Sequence, residues 1–109
     1  MPCTGGPQAD WYRAGALSIY LIISTKFYYV YILRSLKDRL FYCGYSDNLK
    51  QRVYEHNMGK NTSTKNRRPL ELIFYEAYRN KADALRRETY FKTTKGKVTL
   101  KQMLKEFLK

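Results

Sequence analysis

Apolar residues recur in two rhythms along this chain. Residues 28–33, YYVYIL, form an aromatic and β-branched run bounded by polar positions, the mark of a strand. After a polar connection at 34–39, residues 40–45 have the same character, so the two runs predict a hairpin. Side-chain alternation groups Tyr29, Tyr31 and Leu33 on one face of the first strand, and Leu40, Tyr42 and Gly44 on one face of the second. Antiparallel pairing then sets Tyr31 beside or diagonally across from Tyr42, two phenols on one surface.

The rhythm changes at residues 46–59, SDNLKQRVYEHNMG. Leu49, Arg52, Val53 and His56 recur at helical spacing, with Ser46 or Asp47 as the expected N-cap and Gly59 as the expected stop. Leu49 and Val53 face the sheet in this reading, leaving Arg52 and His56 along the edge of the buried stripe and pointed toward the hairpin. Residues 59–69, GKNTSTKNRRP, are a polar loop, and residues 70–78 a third strand. On that strand Leu72, Phe74 and Glu76 are expected on one face, with Ile73, Tyr75 and Ala77 on the other. A second helix is expected over residues 80–96, capped by Asn80 with Asp83 three residues on and ended by Gly96. Its apolar side carries Ala84, Leu85, Glu88, Phe91 and Lys92. Glu88 therefore needs a partner, with Arg52, a lysine or a divalent metal as candidates. In residues 98–108 the stripe Leu100, Met103, Leu104, Phe107 and Leu108 reads as core, opposite a row of lysines. Together these elements predict an α+β fold: a small three-stranded, mainly antiparallel sheet flanked by three helices in the order ββαβαα.

Composition adds the partner. A hydrophobic content of 44% with 16% aromatics argues for a folded globule, and a formal charge of +12 argues for a polyanionic partner. Lysine and arginine run from residue 34 to the end of the chain, so nucleic acid is favoured and no membrane partner is expected. Lys60, Thr64, Lys65, Arg67 and Arg68 of the polar loop are candidates for contacting the nucleic-acid backbone. The 2 cysteines, Cys3 and Cys43, form neither a disulfide framework nor a zinc pattern with 1 histidine, which fits a reducing cytoplasm. Residues 1–25 read as an N-terminal extension whose apolar run at 14–24 is too short to span a bilayer. Residues 26–109 read as one domain.

The triplets Tyr29-Val30-Tyr31 and Tyr42-Cys43-Gly44, with the two key tyrosines 11 residues apart, resemble the tripeptides of the GIY-YIG nuclease superfamily. Arg52 and His56 stand where that family's helix carries its arginine and a histidine or tyrosine. Thr64, Arg67-Arg68-Pro69, LIFYEAY and LRRETYFK extend the likeness to small stand-alone bacterial members, over most of residues 27–108. Tyr29 replaces the opening glycine, Cys43 the middle of the second triplet, and no asparagine follows Asn80.

The resemblance implies a divalent-metal-dependent endonuclease cutting DNA with low or structure-directed sequence specificity, in repair, recombination or processing. Its catalytic set would be Tyr31, Tyr42, Arg52, His56 and Glu88, with Glu88 holding one Mg²⁺ or Mn²⁺ ion. The DNA would be single-stranded, branched or damaged duplex, with RNA a further candidate. A tyrosine would deprotonate water, and either of the two fits that role. Its ordinary pKa of about 10 leaves only about one phenol in a thousand ionised at pH 7. Arg52 and the metal are expected to lower that value, making activity rise above pH 7. A non-catalytic nucleic-acid-binding module is the competing class, since charge and aromatics alone suffice for binding.

Overall fold

The aromatic run that opens the pattern becomes the middle strand of the sheet. A computed structural model describes residues 25–109, with β1 (Tyr28–Ser35), β2 (Phe41–Ser46), α1 (Leu49–Asn57), β3 (Leu70–Tyr78), α2 (Lys81–Phe91) and α3 (Thr94–Met103). A short 3-10 turn, Lys65–Arg67, precedes β3. The sheet has 3 strands in the order β2-β1-β3, both pairings antiparallel, so the fold is the expected ββαβαα arrangement. The apolar run at residues 14–24 lies outside the described residues. Among those described, no helix is long and apolar enough to cross a membrane.

The sheet is covered on both faces. Val30 and Ile32 are fully buried on one side, against Ala84 and Phe91 of α2 and Leu100 of α3. Tyr31, Leu33 and Leu70 form the other side's core, against Leu49 and Val53 of α1. Burying alternate residues in opposite layers is why β1 reads as a nearly continuous apolar run.

Three expectations about local structure are corrected. Ile32 pairs with Phe74 and Leu33 with Leu72, so Ile73 is an extra residue forming a bulge. It puts Leu72 on the Tyr31 face and Phe74 on the Val30 face, where an unbroken alternation would have kept them together. The N-cap of α1 is Asn48, whose side chain accepts from the Gln51 N–H, and not Ser46 or Asp47. Ser46 is buried and spans the turn, accepting from Asn48 N–H at 2.9 Å and donating to its carbonyl at 3.0 Å.

The third correction concerns Gly96, which does not end α2. That helix stops at Phe91, and Thr93 caps a new one by accepting from the Gly96 N–H at 3.0 Å. Asn80 does cap α2, accepting from the Ala82 N–H at 2.8 Å. Gly96 is instead the point of closest approach between α2 and α3, where a Cβ would collide with the Tyr90 carbonyl. Gly96→Ala is expected to destabilise the domain by about 3 kcal/mol or more, since backbone is what must yield. A urea midpoint within about 0.5 kcal/mol of the parent would contradict this close packing. The expected stripe of residues 98–108 is only partly core: Leu100 of α3 is buried, whereas Met103 at its end and Phe107 beyond it are exposed. The Phe107 ring instead packs with the Arg34 guanidinium, 4.9 Å from its centroid.

Candidate active site

Register brings the two tyrosines together. Tyr31 pairs with Gly44 and Leu33 with Tyr42, so the phenols lie diagonally on one face with ring centroids 6.4 Å apart. Gly44 makes room for the arrangement: a Cβ there would collide with the Tyr31 ring carbon Cζ and hydroxyl. Tyr31 is completely buried and Tyr42 only partly so.

His56 sits in the last turn of α1 and is also completely buried, not at the edge of the stripe. Its ring lies edge-on to both phenols, 5.8 Å from Tyr31 and 5.0 Å from Tyr42. His56 Nε2 is 2.9 Å from the Tyr31 hydroxyl and Nδ1 is 2.8 Å from Thr64 Oγ1. Asn57, the next residue, fastens α1 to β3 by accepting from Leu70 N–H at 2.8 Å and donating to its carbonyl at 2.9 Å. That clamp fixes where His56 points.

Burial and then the nearby Arg52 cation lower the His56 pKa, with Glu55 pulling the other way. The ring is therefore neutral at pH 7, with one donor and one acceptor nitrogen. A neutral phenol donating to Nε2 leaves the ring proton on Nδ1, facing Thr64. Burial pushes the Tyr31 pKa well above its ordinary value, Tyr42 adds to this, and Arg52 only partly opposes it. Arg52 alone does not win at Tyr31, because desolvation of the phenolate is the larger effect.

These shifts make stability depend on pH. Above about pH 6.5 folded and unfolded states both hold neutral histidine, so His56 contributes nothing. Below that value the unfolded chain takes the proton first, and the fold loses stability until the depressed folded value is reached. Urea midpoints at pH 7 and pH 5 should fall more for the parent than for His56→Gln. Equal falls would contradict a buried, neutral His56.

The charged members lie on two helices. Arg52 is partly exposed on α1, its Nη1 donating to the Tyr45 carbonyl at 3.3 Å and its Nε 3.4 Å from Glu55 Oε1. Glu88 lies on α2, across the sheet from α1, yet its charge and that of Arg52 both act on Tyr31. Its side chain is 18% exposed, with Oε2 3.0 Å from Lys92 Nζ. A lysine was among the expected partners of Glu88. No partner is recorded for Oε1 among the described residues. No cluster of three His, Cys, Asp or Glu residues suited to a metal forms among those residues. A single carboxylate with one open oxygen fits a hard ion that keeps most of its water, as Mg²⁺ does.

The basic loop divides into buried and exposed parts. Thr64 is completely buried and serves His56. Arg67 is paired with Asp38 at 2.8 Å and donates to the Leu40 carbonyl at 3.0 Å, bracing the hairpin connection. Hydrogen bonding from Arg67 holds the Asp38 carboxyl down at about 2. Lys60, Lys65 and Arg68 are exposed, and the last two line a polar depression of about 470 Å³. Sequence reasoning missed Asn57, which left no signal, and it placed Gly44 in the second triplet and Lys92 beside Glu88 without giving either its part in the site.

Residues 27–102 match the family model of the GIY-YIG catalytic domain. With more than half of the chain matched, this protein belongs to the GIY-YIG family. Among its relatives is a UPF0213 protein from the ldhD 5′ region of Pediococcus acidilactici, 42% identical over 79 residues, which cover 70% of this chain and 80% of the relative. The UPF0213 protein SH2523 of Staphylococcus haemolyticus is 40% identical over 77 residues, 70% of this chain and 93% of the relative. UPF0213 protein YazA of Bacillus subtilis is 42% identical over 71 residues, 64% and 71% of the two chains. No solved structure matches this chain significantly.

Proposed function

We propose that the protein is an endonuclease that hydrolyses DNA phosphodiester bonds with the help of a divalent metal. The observation that carries this reading is the buried hydrogen-bonded chain Tyr31–His56–Thr64, set beside Arg52 and within the field of Glu88. A phenol bonded to a neutral imidazole, itself oriented by a third group, is a proton acceptor of the kind phosphodiester hydrolysis needs. A binding module has no use for it.

Glu88 would hold one Mg²⁺ or Mn²⁺ ion, which when bound supplies positive charge to the scissile phosphate and the departing 3′ oxygen. Arg52 engages the phosphate oxygens through its planar guanidinium. Tyr31 takes the water's proton while passing its own to His56 Nε2, so no free phenolate has to form. Tyr42, the more exposed phenol, positions water or phosphate. Lys60, Lys65 and Arg68 hold the strand by its backbone without reading bases. The substrate is single-stranded, branched or damaged duplex DNA, and the protein works in DNA processing or repair.

The test is cutting of a labelled DNA strand by Tyr31→Phe and by Tyr42→Phe beside the parent. Tyr31→Phe should lose about 10²- to 10⁴-fold, the usual worth of a positioned proton acceptor. Tyr42→Phe should lose less. Stability is measured in parallel, because an unpaired His56 Nε2 costs about 1–3 kcal/mol. Near-parental cutting by a folded Tyr31→Phe would remove this chain from the mechanism.

A further inference from the structure

On the α2 side of the sheet, next to Glu88, β1 and β2 part from α3 to leave a cleft of about 700 Å³. Leu40, Phe41, Cys43 and Leu108 form its apolar wall, and Tyr42 and Lys92 line it on the side of the candidate site. Arg39, Lys97 and Lys101 also line it, all exposed and without a recorded ion pair among the described residues. No aspartate or glutamate lines the cleft. Arg34, a further lining residue, donates from Nη2 to Glu71 Oε1 at 3.0 Å, while its buried Nε has no hydrogen-bond partner.

We propose that this cleft is a subsite for one unstacked nucleobase of the strand being cut, with Lys97 and Lys101 on the flanking phosphates. The assignment rests on the endonuclease reading. An occupant must combine an apolar, planar body with negative charge at its edge, and a nucleotide within a single strand has both. The size is that of a small-ligand pocket, roughly 300–1,000 Å³. A duplex cannot enter it, because its bases are stacked and paired; only an extruded or single-stranded base can. The cleft therefore gives preference for unpaired DNA without reading sequence.

Cys43 lies half-buried in the cleft wall with its thiol pushed up to about 11 by burial, so alkylation is run at raised pH to report the cleft's occupancy. In the full chain carrying Cys3→Ser it is the sole thiol, since the protein has 2 cysteines. Alkylation of Cys43 by N-ethylmaleimide is followed in EDTA with a single-stranded oligonucleotide, its duplex, or inorganic polyphosphate. The single strand should slow alkylation at least about 5-fold, as a stacked base would cover the wall. Duplex and polyphosphate should not. Lys97→Glu/Lys101→Glu should abolish the protection. Losing two phosphate contacts should also reduce the log–log salt slope of single-strand binding by about 1.4. Tight single-strand binding without protection would overturn the proposal, as would equal protection by polyphosphate or duplex. Because nothing is cut in EDTA, a failure here is separate from a failure of the nuclease reading.

Discussion

Glu88→Ala is expected to lower DNA cutting by about 10³-fold, the scale of losing a main source of transition-state charge stabilisation. The fold should survive. The carboxylate's partner is Lys92, whose side chain is 56% exposed and returns to water when released. Such pairs contribute at most about 1 kcal/mol. Glu88→Gln keeps the size and removes the charge, so it should lose as much activity as the alanine variant. Single-turnover cleavage with urea denaturation on the same samples checks both points. Full activity in the glutamine variant would mean that the carboxylate holds no ion and that its pairing with Lys92 is its whole role.

Arg52→Ala should cost about 10²- to 10³-fold, because Arg52 is the cation whose charge acts on Tyr31 among the described residues. Arg52→Lys should recover little: an ammonium is a point charge without the two-pronged geometry of guanidinium. The charge also has a distinctive second effect. Arg52 helps to hold the His56 pKa down. Without it, His56 gains its proton more easily, and the acid limb of the residual pH–rate profile should move to higher pH. An unchanged limb would place Arg52 too far from His56 for the proposed proton transfer.

The strands and the cap of α2 were legible because their signals are local. Aromatic and β-branched runs, and Asn80 ahead of Asp83, act within a few residues. The ladder correction at Ile73 came from tertiary packing, since only the opposed strand reveals that one residue is extra. Gly96 misled for a similar reason. A glycine after an apolar stripe usually ends a helix, but this one permits two helices to touch. At the site, spacing placed Tyr31, Arg52 and His56 in one region. It could not show that His56 is buried or that Thr64 turns inward to meet it. The basic loop was read from its charge, and charge does not say that Arg67 spends its own on Asp38. The direction of the Tyr31 shift depended on burial, which the sequence left open.

The most direct test uses the full chain with supercoiled plasmid and with single-stranded DNA, in Mg²⁺, in Mn²⁺ and in EDTA. Metal-dependent nicks that DNA ligase can seal, and therefore with 5′-phosphate ends, are the predicted result. Binding to both DNAs with no strand broken in either metal would contradict the endonuclease and leave a nucleic-acid-binding module on a GIY-YIG fold.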